Sequence, residues 1–191
     1  NGLKKFSGTV ELLSEMEGTL SLAGLIKLSD EEAELLGTFK CSLWLNGLTQ
    51  LSDNAAESLS KHVGELVLGS LTQLSDNAAE SLSKHEGKLA LRGLTKLSDT
   101  AAEFLSKHVG ELDVSGLTEI SDGVAESLSK HKGGGKEGLC LHKLSQLSDS
   151  AAESLSKYEG KINLDGLKEL SDNAAESLSK HVGDSLLLNR L

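Results

Sequence analysis

The sequence predicts an α/β solenoid of parallel strands and short helices around a leucine core. Three observations carry this reading. Ser-Asp recurs at Ser29, Ser52, Ser75, Ser98, Ser121, Ser148 and Ser171, in steps of 23 residues except one of 27, and a fixed period of this size marks stacked repeats. Leucine supplies 40 of the 191 residues while proline is absent, as expected of many similar elements around one apolar core. Within each unit the apolar spacing changes from two to helical, so each unit holds a strand and then a helix.

The unit beginning at Gly64 illustrates each element in order. Leu66 and Leu68 alternate with Val67, so both leucines face one side of an extended strand. Leu71 and Leu74 keep the following turn against the same core. Ser75 is a helix N-cap, and Asp76 places a negative charge at the positive end of the helix dipole. Leu74 and Ala79 flank that cap as a hydrophobic staple. Ala78, Ala79 and Leu82 form a narrow apolar stripe, and Glu80 and Lys84 make an i,i+4 pair. Gly87 is expected to end the helix and turn the chain into the next strand. Seven clear units, with a partial one at each end, make residues 1–191 a single solenoid. Neither end carries a polar cap, so the chain is expected to be a piece of a longer one.

These residues resemble a leucine-rich repeat of about 23 residues. Val63-Gly64-Glu65-Leu66-Val67-Leu68 fits the family's leucine-x-x-leucine-x-leucine stretch. The usual asparagine is replaced by Leu71, Leu94 and Leu117, and the Thr72, Thr95 and Thr118 row is a candidate for part of its role. The Gly-Leu-Thr-x-Leu-Ser-Asp flavour is similar to bacterial members. The resemblance implies a curved solenoid with a parallel β-sheet on its concave face and short helices on its convex face, the concave sheet binding other macromolecules.

Internal copies separate scaffold from surface. The Ser, Asp, second helical Ala, Glu and helical Leu do not change between units, and capping, burial and ion pairing account for all five. The strand positions facing away from the leucines vary. One row reads Ser21, Trp44, Val67, Ala90, Asp113, Cys140, Asn163, and the next reads Ala23, Asn46, Gly69, Arg92, Ser115, His142, Asp165. In a parallel sheet these rows form one surface. Glu65, Lys88 and Glu111, just before the strands, alternate in sign as cross-strand partners do. Trp44, the only tryptophan, joins a large apolar surface to one donor, a combination enriched at binding hot spots. Trp44, Asn46, Val67, Arg92, Asp113, His142, Asn163 and Asp165 are therefore the candidate partner-binding residues.

Other chemistry is weighed and set aside. His62, His85, His108, His131 and His181 recur at one position, but Phe39 and Tyr158 replace them in two units. Aromatic replacement suits stacked rings better than a metal ladder, and a histidine at a helix C-terminus also suits the dipole. Cys140, His142 and Asp165 resemble a nucleophile set, but alternate residues on an open sheet supply no oxyanion hole. Cys41 and Cys140 lie four strands apart, too far for a disulfide. Lys132-Gly133-Gly134-Gly135-Lys136 leads into a strand rather than a helix, so it is no phosphate loop. It accounts for the longer step, and residues 132–138 are expected to bulge.

The formal charge of −10, from 19 basic and 29 acidic residues, argues against nucleic acid. No apolar run approaches the ~18 residues that span a bilayer, so no membrane insertion is expected. No enzyme, metal or cofactor is expected either. Two functions remain: a module binding a protein or peptide through its concave sheet, or a spacer or self-assembling element whose partner is itself. The near-identical helices favour the second, the varied strand rows the first.

Overall fold

The computed structural model describes residues 17–133 and 138–191. Strands and helices alternate without exception along the described chain: β1 (Thr19–Ser21), α1 (Asp30–Leu36), β2 (Ser42–Trp44), α2 (Asp53–Ser60), β3 (Leu66–Val67), α3 (Asp76–Leu82), β4 (Leu89–Ala90), α4 (Asp99–Leu105), β5 (Leu112–Asp113), α5 (Asp122–Ser129), β6 (Leu139–Cys140), α6 (Asp149–Ser156), β7 (Ile162–Asn163), α7 (Asp172–Ser179) and β8 (Leu186–Leu187). Every strand pairing is parallel, with neighbours in sequence order. This is a repeating α/β architecture of stacked units, as the sequence predicts.

Each strand is two or three residues long, and the unit-to-unit bonds are regular. The Leu66 N–H donates to the Lys88 carbonyl at 2.8 Å and the Leu68 N–H to the Ala90 carbonyl at 2.8 Å. The strand phase agrees with the alternation: Leu66, Leu68, Leu71 and Leu82 are fully buried, as are Leu89 and Leu91. Burying a leucine completely contributes about 1.5–3 kcal/mol before entropy is counted. Leu74, expected in the core, is only partly buried, because it lies at the edge where the turn leads into α3.

Ser29, Ser52, Ser75, Ser98, Ser121, Ser148 and Ser171 are all helix N-caps in extended conformation, each accepting a backbone N–H three residues on. The helix ends differ from expectation. Helix α3 stops at Leu82 with Ser83 as its C-cap, four residues before Gly87. Gly87 instead allows close stacking, since a Cβ there would overlap the Gly64 carbonyl oxygen. Gly110 meets Gly87, and Gly133 meets Gly110, in the same way.

The first leucine position of the repeat pattern is also corrected. Val63 is 60% exposed, whereas His62 beside it is 1% exposed. The buried side chain at that corner is the histidine. His62, His85, His108 and His131 stack as near-parallel rings, with centroids 6.0, 6.1 and 6.3 Å apart. Phe39 and Tyr158 are buried in the same row. Burial pushes all four imidazoles below their ordinary value, so they are neutral core rings and not cations on the helix dipole.

One joint differs from the rest. Strands β1–β5 form one sheet and β6–β8 a second. The division falls at the 27-residue step, where Gly133 holds the place of Gly110 and Gly138 that of Glu111. The four residues between them, and with them most of the expected bulge at 132–138, lie outside the described residues. Gly138 has φ +66°, and a Cβ there would overlap the Lys161 carbonyl. The helices meanwhile continue in sequence from α5 to α6.

Candidate interaction face on the sheet

The alternation that buries Leu43, Leu66, Leu89 and Leu112 turns the residue after each of them to the opposite face of the sheet. Register places Trp44 beside Val67, Val67 beside Ala90, and Ala90 beside Asp113. Trp44 is 38% exposed, and its indole N–H donates to Glu65 Oε2 at 3.2 Å. The ring is thereby fixed while much of it stays accessible. Val67 is only 5% exposed and Ala90 fully buried. The valine therefore offers little contact area. Asn46 is half-buried, with its side-chain oxygen lying over Gly69, where a Cβ would overlap it.

Beyond Trp44 the face is charged, and its charges are matched to one another. Lys88 Nζ lies 2.8 Å from Glu111 and 3.8 Å from Glu65, so the alternating signs do pair across strands. The hydrogen bond to Glu111 holds the Lys88 ammonium above the ordinary lysine value. Arg92 Nε lies 2.5 Å from Asp113 Oδ2, and the Ser115 N–H donates to Asp113 Oδ1 at 3.1 Å. Burial pushes the Asp113 carboxyl up, but the bonds from Arg92 and Ser115 outweigh it and leave the group below the usual carboxylate range.

His142, Asn163 and Asp165 belong to the second sheet. Cys140 Sγ lies 2.9 Å from His142 Nδ1. Asp165 does not complete a triad with them. Its carboxylate accepts the Asn189 N–H at 2.8 Å, which lowers its pKa, and its own N–H donates to Asn163 Oδ1 at 2.9 Å. The eight candidates thus fall into three groups: Trp44 with Val67 and Asn46, Arg92 with Asp113, and His142 with Asn163 and Asp165. Strand pairing breaks between β5 and β6, so the last group lies beyond that break from the other two.

The residues that join the units were read from sequence as caps alone, and they do more. Ser52 and Asn54 donate to Asp30, Ser75 and Asn77 to Asp53, and Ser171 and Asn173 to Asp149. These bonds lower the three aspartate pKa values. The Thr row contributes one such link, in which Thr118 donates its N–H and hydroxyl to the Thr95 carbonyl. An invariant Ser-Asp at the unit's own period was the available signal for this ladder.

Among the described residues no helix is long and apolar enough to cross a membrane. The sequence matches no family model and no curated protein.

Proposed function

We propose that this chain is a leucine-rich-repeat interaction module that binds a protein or peptide through its sheet face. One observation supports this above the others: Trp44 stands exposed and oriented by Glu65 on a face whose residues differ from unit to unit, while the scaffold beneath them is constant. The paired charges of Lys88, Glu111, Arg92 and Asp113 suit a mixed polar rim around an aromatic anchor. They suit a phosphate backbone poorly, because each cation already has its carboxylate.

The test is affinity capture from source-cell extract with four baits: parent, Trp44→Ala, Arg92→Ala and a helix-face control, Glu103→Ala with Lys107→Ala. A partner retained by parent and control and lost with both sheet-face variants is the expected result. A partner that survives both sheet-face changes and disappears with the control would refute the reading. The second reading, a spacer or self-assembling element, draws on the identical segments at 54–62, 77–85 and 173–181. It requires a concentration-dependent rise in mass, measured by light scattering, that the helix-face change abolishes.

A further inference from the structure

The contact between Cys140 and His142 lies where strand pairing breaks between β5 and β6. Both residues project from one strand and its continuation at i and i+2, so they share the sheet face. Cys140 is partly exposed and His142 exposed. A cavity of about 100 Å³ opens beside the thiol, lined by Lys88, Arg92, Glu111, Asp113 and Cys140. Gly138, two residues before Cys140, also lines it and presents no side chain to cover the sulfur. Cys41 is the opposite case, a buried cysteine 2% exposed in the core.

We propose that Cys140 is a thiol-exchange site, activated by His142 and accessible to low-molecular-weight disulfides through this cavity. A thiol reacts as its thiolate, and a neighbouring imidazole within hydrogen-bond reach serves as the base that generates it. His142 Nδ1 takes the Cys140 proton, and the thiolate attacks one sulfur of the incoming disulfide. A Cys140–S–S–R bond forms, the original S–S bond breaks, and the departing thiolate takes the proton back from His142. Cys140 is oxidised, the released thiol is reduced, and no other reactant is needed.

Among the described residues, the charges of β4 and β5 beside the site are matched to one another. Lys88 from β4 is paired with Glu111, and Arg92 just after β4 with Asp113 of β5. On the other side Asn163 of β7 is the register partner of Cys140, with Lys161 and Asp165 at its flanks. Asp165 is held by Asn189 and Asn163. The proposal concerns covalent modification of the chain and stands whether or not the sheet face binds a protein.

The experiment follows the reaction of the native chain with an aromatic disulfide that releases a coloured thiolate, across a pH series. One equivalent should react fast in the parent and in Cys41→Ser, and that equivalent should be absent from Cys140→Ser. His142→Gln should slow it about tenfold near neutral pH and move the rate profile to that of an ordinary thiol, near pKa ~8.5. The assignment is overturned if the fast equivalent survives Cys140→Ser. It is equally overturned if His142→Gln reacts at the parent rate with the parent pH profile.

Discussion

The Ser75 hydroxyl donates to Asp53 Oδ1 at 2.5 Å, while the same oxygen accepts the Ala78 N–H at 3.0 Å. One side chain thus caps its own helix and fastens that helix to the previous unit. Asp53 is also the first residue of α2, so each Ser-Asp dipeptide serves two helices at once.

Asn77 adds a second bond to Asp53, whereas at the corresponding position opposite Asp99 Gly123 has no side chain to add to the Ser121 bond. Both aspartates begin a helix, so removing either costs the same dipole interaction. Asp53→Ala should therefore lower the urea midpoint more than Asp99→Ala. Equal midpoints would mean that the Asn77 bond contributes nothing.

The Asp30, Asp53 and Asp149 carboxyls titrate below their ordinary values because of Ser and Asn hydrogen bonds from the next unit. Their contribution is present above the unfolded value near pH ~3.9 and is lost as pH falls through the folded values. Acid titration of Asn77→Ala should show carbon-13 carboxyl shifts of Asp53 moving at higher pH than in the parent.

The histidine column acts in a higher window. An unfolded chain protonates each imidazole near pH ~6.5, but the folded chain does so only at lower pH. Stability is therefore full above that value and falls as pH drops toward the folded values. His85→Phe puts at this position the ring type already present at Phe39. Its urea midpoint should fall less than the parent's between about pH 7 and about pH 5.

Leu68→Ala empties a fully buried site and should cost about 2–5 kcal/mol by urea denaturation. Gly87→Ala is the opposite error, adding a methyl group where the Gly64 carbonyl oxygen sits. Overpacking of this kind costs about 1–3 kcal/mol. Gly24→Ala, with nothing within 4 Å of the added carbon, should leave the midpoint where it was.

The fold was legible because a 23-residue period and two apolar spacings within it specify strand, turn, cap and helix almost residue by residue. What the period does not encode is how neighbouring units cover one another. Alternation turned Val67 to the outer face but could not show that the side chain would be only 5% exposed there. The Phe39 and Tyr158 replacements already pointed to stacked rings in the histidine row, and the structure stacks them; their position near helix ends did not reveal how completely His62, His85, His108 and His131 are buried. The Ser-Asp pair had a sufficient local explanation as a cap, which hid its second bond. Of the candidate site, the Arg92–Asp113 pairing follows from adjacent strands, whereas the longer step alone does not tell whether β5 and β6 stay paired, and they do not.

The interfaces between the units of His62, His85, His108 and His131 repeat the same vocabulary: a serine on an aspartate, an aromatic ring on a ring, a glycine against a carbonyl. Any unit is consequently an acceptable neighbour for many others. Excision of residues 64–86 would bring Ser98 onto Asp53 and His108 onto His62, partners chemically matched to those they lost. The length of such a chain is thus decoupled from its local energetics. Duplication or loss of a whole unit adds or removes that unit's share of the stability but leaves the chemistry of every remaining interface unchanged, so the order of residues on the sheet face can be rearranged in steps of one unit without any new packing problem being solved.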